Sequence, residues 1–263
     1  PFLQQFCSYF DKVVLTTTTH NYEGTGRGFS LKLPKQINRQ IKHWQLSQPL
    51  RWQANDALEA FVNALLLLDE DLSYTENNGR SQKHYYTAEE MNLSEKKAFY
   101  ALLSQAHYKT TPTDLRRLLD GVNQQFFRVL HQEHTLLGGI WAIDEGGLDP
   151  ELIQAIWRGS RRPQGNLVAQ YLCFQANLPE ACELRSMRIS RIAVDPNYQN
   201  QGVGKRLISE FILQIRQQKQ PLVDFVSVSF GMTENLLHFW KQAGFILVQI
   251  TPNKEASSGY PSA

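Results

Sequence analysis

The apolar pattern is clearest in the last third of the chain. RISRIAV (188–194) reads as a buried strand, and Leu207, Ile208, Phe211, Ile212 and Ile215 then recur at helical spacing through GVGKRLISEFILQIRQQ. In LVDFVSVSF, Val226, Val228 and Phe230 alternate with Ser227 and Ser229, which predicts a strand. Its small hydroxyls leave room for something to lie along one face. TENLLHFWKQAG predicts a helix, with Thr233 as its cap and Gly244 taking the left-handed conformation that ends it. FILVQIT predicts a further strand.

Upstream, DKVVLTTTTHNYEGTGRGFSLKL predicts a strand, a Gly-rich loop and a second short strand. PLRWQANDALEAFVNALLLL predicts a helix capped by Asn55 or Asp56. LSYTENNGRSQKHYYTAEEMN predicts a loop or hairpin, and a boundary is expected near residue 90. SEKKAFYALLSQA and TPTDLRRLLDGV predict helices, and FFRVLHQEHTLLGGIWAIDEGGL a hairpin turning at QEHT. ELIQAIWRGS predicts a helix, and RRPQGNLVAQYLCF another after a basic turn. Helices on a mostly strand-connected sheet make this an α/β unit of the mixed α+β kind.

Composition narrows the classes. The apolar share is 42%, the charged share 20% and the net charge +2, so any basic footprint for nucleic acid must be local. Cys7, Cys173 and Cys182 lack metal-ligand spacing, which predicts a reducing, cytoplasmic setting with no metal and no disulfide framework. The longest apolar stretch, AFVNALLLLD, is too short to span a bilayer, so no membrane partner is expected. The first residues, PFLQQFCSYF, carry no secretory signal, and a start at Pro suggests a piece of something longer.

The strand-to-helix junction carries the chemistry. In QNQGVGK, Gly202 and Gly204 keep side chains away from the start of a helix. That start has unpaired amides and a partial positive dipole, an anion cradle best suited to a pyrophosphate. The same residues also read as a plain small-residue turn. No GxxxxGK[ST] occurs, and Leu207 stands where a dinucleotide fingerprint needs glycine.

As a whole, this stretch resembles the acetyl-CoA signature of the GNAT acetyltransferases, a strand, Q/R-x-x-G-x-G/A and a helix, with Gln199, Gly202 and Gly204 in place. HFWKQAGF resembles the second GNAT signature. The resemblance implies a GNAT sheet flanked by helices, in which two strands splay around a pantetheine arm. Ile192, Ala193 and Val194 would face that arm. Gln199, Asn200 and Gln201, with Gly202, Val203, Gly204 and Lys205, would hold the pyrophosphate, and Asn235 and Gln242 would add contacts.

TTTTHNYEGTGRGF, AHYKTTPTDLRRLLD, DEGGL, RRPQGNLVAQ, SRIAVDP, SVSFG and EASSGY, in that order, resemble the bacterial tRNA(Met) cytidine acetyltransferases. That family fuses a RecD-like, RecA-type helicase module to a GNAT domain. The resemblance implies acetyl transfer from acetyl-CoA to the wobble cytidine of elongator methionine tRNA, with ATP or GTP hydrolysed by the helicase module. Residues 1–50 would be the tail of that module, 51–90 a connector and 91–263 the GNAT domain, lacking its last strand and so exposing a sheet edge. Arg27 would contact ATP, although it also reads as an exposed arginine in a Gly-rich connection. The family's Walker motifs are absent here, so a helicase half encoded separately is an expected partner alongside the tRNA.

Asp144 and Glu145, placed after the strand IWAI, are candidates for the catalytic base; DEGG also reads as a solvated turn. Trp240 stands where many GNAT enzymes place a tyrosine acid, and a tryptophan cannot protonate a leaving thiolate. Arg158, Arg161 and Arg162, then Lys109, Arg116 and Arg117, then Arg185, Arg188 and Arg191, form basic groups suited to RNA phosphates or to an ordinary surface. Two other readings stay open. One is a GNAT enzyme for a small-molecule or protein amine, and the other is a non-catalytic RNA-binding fragment.

Overall fold

A computed structural model describes residues 2–17, 37, 39–46, 48–68, 85–87, 90–106, 111–121, 124–130, 136–217, 222–254 and 259–263. Its sheet has five strands: β1 (Tyr85–Thr87), β2 (Gln124–Leu130), β3 (Leu136–Gly146), β4 (Arg185–Val194) and β5 (Phe225–Val228), in the order β1-β2-β3-β4-β5. The first three pairings are antiparallel and β4–β5 is parallel. A parallel pair needs a crossover, here α8 (Val203–Gln217). Helices α1 (Phe2–Tyr9) and α2 (Ala57–Leu66) precede the sheet. Helices α3 (Leu93–Ala106) and α4 (Pro112–Asp120) follow β1, α5 (Pro150–Trp157), α6 (Leu167–Phe174) and α7 (Glu180–Glu183) link β3 to β4, and α9 (Glu234–Gln242) follows β5.

Period-two alternation splits neighbouring residues between the two faces of the sheet. Phe126 and Trp141 pack with Phe99, Leu102 and Leu103 of α3 and with Leu115 and Leu118 of α4. Phe127, Ile140, Ala142, Met187 and Ile189 pack with Leu207, Ile208 and Phe211 of α8 and with Trp240 of α9. A Cβ at Gly139 would sit 2.4 Å from the Phe99 ring, so that glycine lets α3 seat directly on β3. A third cluster joins Ile153 and Ile156 of α5 to Ala169 and Cys173 of α6 and Cys182 of α7.

Three expectations need correction. First, FILVQIT is not a strand: residues 245–250 form no ladder with any described residue, and Ile246 and Val248 are 83% and 63% exposed. Past the end of β5, residues 261–263 bond to the chain instead. Phe230 and Ala263 exchange amide–carbonyl bonds at 2.9 Å, Met232 N–H donates to the Pro261 carbonyl, and Thr251 N–H donates to the Ser262 carbonyl. Second, the strand predicted over 222–230 shortens to Phe225–Val228. Third, residues 13–17 of the predicted N-terminal strand form none, whereas the preceding residues form α1, which the sequence reading did not anticipate. The rest of the Gly-rich segment lies outside the described residues.

Candidate cofactor and acceptor site

β4 and β5 pair only from Ser186↔Phe225 to Ile189↔Val228, so β4 continues past its neighbour. Along β3, Val194 lies opposite Gly138, and Asp195 N–H donates to the Leu137 carbonyl at 2.8 Å. That pattern marks Gly138–Val194 as a non-hydrogen-bonded pair. The N–H and C=O of Val194 therefore point away from β3, towards the gap beyond β5. Two residues back, Ile192 repeats this, whereas the backbone of Ala193 faces β3. The gap is thus lined by the backbone of Ile192 and Val194, two of the three residues expected there. The Val194 carbonyl is already held, at 3.0 Å, by the side-chain amide of Gln199.

The turn after β4 is built from local bonds. Asp195 accepts from Asn197 N–H, and Gln201 donates to the Asn197 carbonyl. Asn200 and Gly202 adopt positive φ, 60° and 80°. The first helical bond of α8 runs from Arg206 N–H to the Gly202 carbonyl, leaving the amides of Val203, Gly204 and Lys205 in the uncommitted first turn. A Cβ added at Gly202 would meet nothing within 4 Å, so the mouth of this turn is open. One added at Gly204 would lie 3.3 Å from the Phe239 ring, which sets how closely α9 approaches α8.

Thr233 caps α9 through Leu236 N–H. Asn235 and Gln242 lie on the exposed part of this helix, and the Gln242 amide meets the ring of His238 one turn back. Trp240 is buried against Phe230, Phe239 and Phe245 and is a core aromatic.

The two carboxylates are not in a turn. Both lie in β3, and the chain turns only at Gly146 and Gly147, with φ of 81° and 63°. Glu145 is 3% exposed. Its oxygens accept from Leu167 N–H at 2.8 Å and Val168 N–H at 2.9 Å, and pair with Arg188 Nε at 2.6 Å. It is the buried anion at the start of α6. Asp144 is partly buried, and desolvation pushes its carboxyl above the ordinary aspartate value, opposed by a hydrogen bond with Gln125.

The basic groups divide. Arg116, Arg117, Arg158, Arg161 and Arg162 are exposed and form no ion pair with a described residue; Arg162 lies over the Phe174 ring at 5.4 Å. Arg188 and Arg191 are committed elsewhere, to Glu145 and Asp114, with side chains 14% and 17% exposed. Their expected place among the phosphate contacts is corrected. Lys109 and Arg27 lie outside the described residues.

A cavity of about 730 Å³ runs along the free edge of β5, between Leu167 and Tyr171 of α6 and Trp240 and Lys241 of α9. No residue from 192 to 205 lines it, so it is separate from the cradle. Among the described residues no three His, Cys, Asp or Glu side chains converge as metal ligands, and no helix is long and apolar enough to cross a membrane.

A family model described as GNAT acetyltransferase 2 matches residues 98–212 and 207–263. The chain belongs to the GNAT acetyltransferase 2 family. A second model, RNA cytidine acetyltransferase NAT10/TcmA, helicase domain, matches residues 1–69. Among curated relatives, this GNAT chain is 62% identical to the tRNA(Met) cytidine acetyltransferase TmcA of Actinobacillus pleuropneumoniae serotype 5b over 100% of its own length and 41% of that protein. It is 56% identical to the protein of the same name from Haemophilus ducreyi, over 100% of this chain and 41% of that one. The chain therefore spans about two fifths of the length of these relatives. Among solved structures it is similar to Arabidopsis thaliana NAA60 in complex with acetyl-CoA, at 14% identity and a TM-score of 0.39, over 59% of this chain and 81% of that one. That likeness is too distant for any residue to be carried across.

Proposed function

We propose that this chain is the acetyl-transferring part of a tRNA(Met) cytidine acetyltransferase, acting on the exocyclic amine of the wobble cytidine of elongator methionine tRNA. The observation that carries this reading is the 62% identity, along every residue of the chain, to a relative named for that activity. In the same reading, residues 1–50 belong to a helicase module that hydrolyses ATP or GTP and to which Arg27 contributes. Residues 51–90 connect it to the GNAT domain, the protein works in the cytoplasm, and the remainder of the helicase module is its partner.

The cradle fits acetyl-CoA on three counts: the open mouth at Gly202, the uncommitted first-turn amides of α8, and the outward backbone of Ile192 and Val194. Bound there, the cofactor supplies an acetyl group activated as a thioester. Val203, Gly204 and Lys205 hold its pyrophosphate, Ile192 and Val194 offer backbone groups to its arm, and Asn235 and Gln242 flank it from α9. A cytidine amine is a poor nucleophile because its lone pair is delocalised into the ring. Close placement beside the β4 gap therefore supplies most of the effect. The N–H of Val194 donates towards the carbonyl oxygen.

Asp144 would accept the proton lost by the amine as the new C–N bond replaces the C–S bond. Its raised proton affinity suits that task, whereas Glu145 is held by α6 and Arg188. The thiolate released would take its proton from water, since Trp240 has none to give it. Gly138, the residue opposite Val194, is six positions along β3 from Asp144. That is roughly 20 Å of strand, so the proton passes through a chain of waters. Arg116, Arg117, Arg158, Arg161 and Arg162 hold RNA phosphates.

An acceptor screen with labelled acetyl-CoA tests the assignment. Elongator methionine tRNA, a second tRNA, spermidine and a lysine peptide would be offered to this chain. They would also be offered to the Actinobacillus relative carrying the chain in place of its matching region. Label is expected on the methionine tRNA alone; label only on spermidine or peptide would favour the ordinary amine acetyltransferase.

A further inference from the structure

Arg188 and Arg191 are three positions apart on β4, a spacing that puts side chains on opposite faces of a regular strand. Here they share a face. Trp141 lies opposite Arg191 and Ala142 opposite Ile189, so Ser190 is an extra residue, a β-bulge. The bulge sends Ile189 and Ile192 together to the α8 side and both arginines to the other. Each arginine grips one carboxylate, and each carboxylate holds the first turn of a helix. Glu145 joins Arg188 to the amides of Leu167 and Val168 at the start of α6. Asp114 Oδ2 lies 2.9 Å from Arg191 Nη2 and accepts from both the N–H and the hydroxyl of Thr111, the cap of α4. The exposed Arg161 and Arg162 stand in the loop between α5 and α6, six and five residues before Leu167, and Arg116 and Arg117 lie within α4.

We propose that Arg188 and Arg191 are positioning residues for the nucleic-acid acceptor. They latch the starts of two helices to the strand whose backbone lines the cofactor gap, one helix carrying Arg116 and Arg117 and the other following the Arg161–Arg162 loop, so the RNA phosphates and the acetyl donor are held in one frame. A well-packed apolar pair would serve stability as well as a buried ion pair. What the ion pairs add is directional: each fixes where a helix begins relative to β4. This inference deepens the acetyl-transfer reading and rests on its assignment of the exposed arginines to RNA.

The test measures binding of an elongator methionine tRNA transcript across a salt series, binding of acetyl-CoA by calorimetry, and melting temperature. The variants are Asp114→Asn, Asp114→Glu, Glu145→Gln and the double change Arg161→Glu/Arg162→Glu. Asp114→Asn and Glu145→Gln should weaken RNA binding about fivefold or more and flatten its salt slope by about one lost phosphate contact. Acetyl-CoA affinity should stay within about twofold, and Asp114→Glu, which keeps the charge, should bind RNA nearly as wild type. If Glu145→Gln does not fold, Asp114→Asn, on the more exposed pair, decides alone. A purely structural role would lower the melting temperature and weaken both ligands alike, or leave the RNA slope unchanged; either result overturns the proposal. The double arginine variant separates the two levels. If it binds RNA as wild type, the RNA assignment itself fails; if it alone is weakened, only the positioning role fails.

Discussion

A side chain at Gly202 would collide with nothing, yet the φ of 80° there disfavours every L residue. Gly202→Ala therefore isolates backbone strain, about 1–2 kcal/mol. Gly202→Asp adds a negative charge at the amides that would receive a pyrophosphate. Calorimetry with acetyl-CoA should show a loss of severalfold for alanine and at least about a hundredfold for aspartate. Equal losses would mean that charge at this turn is irrelevant. Asp144 offers a test by pH. Between its ordinary value of 3.8 and its raised folded value, the folded chain holds the extra proton. The stability of that protonated form is full below 3.8 and is lost as pH rises through the folded value. Asp144→Asn should therefore raise the melting temperature at neutral pH, have no such effect in acid, and lower the transfer rate. A gain in melting temperature that persists in acid would contradict the burial account. Of these residues, the sequence alone made Gly202 legible, because a small-residue turn before an amphipathic helix is a local pattern. The buried position of Glu145 was not legible, because its partners Leu167, Val168 and Arg188 come from distant parts of the chain.

At the scale of elements, local signals served best where the sequence carries its own caps. Thr233 caps α9 and Asp56 caps α2, as their positions before apolar periodic runs imply. Residues 245–251 have the composition of a strand, yet no ladder joins them to β5; past the end of β5, Phe230, Met232 and Thr251 bond residues 261–263 instead. Strand formation needs a partner, and pairing is not written in a strand's own residues. The bulge at Ser190 was equally invisible, since it exists only as a register between two strands. The capping box of α4 can be tested singly. Thr111 and Asp114 satisfy each other's backbone amides, so Thr111→Ala should cost about 1 kcal/mol of stability by denaturant titration. It should also weaken RNA binding more than acetyl-CoA binding, because Asp114 loses one of the two groups that set its aim at Arg191. A stability loss with RNA affinity unchanged would place α4 outside the acceptor surface.

For the whole molecule, the sheet divides the work. On its α8 and α9 face, the first turn of α8 leaves the amides of Val203, Gly204 and Lys205 uncommitted, and the Val194 N–H at the end of β4 faces away from β3. Asp114 and Glu145, at the starts of α4 and α6, are tied back to Arg191 and Arg188 of the same strand, and the exposed arginines stand within α4 and in the loop before α6. The central claim is that these two surfaces bring an acetyl donor to a cytidine of RNA. The most direct measurement is the identity of the acetylated nucleoside. Methionine tRNA labelled with radioactive acetyl-CoA, by the Actinobacillus relative carrying this chain, would be digested to nucleosides and resolved. The account predicts label in a single species, cytidine acetylated on its exocyclic amine, at the wobble position and lost with Gly202→Asp. Label in any other nucleoside, or label unaffected by Gly202→Asp, would contradict it.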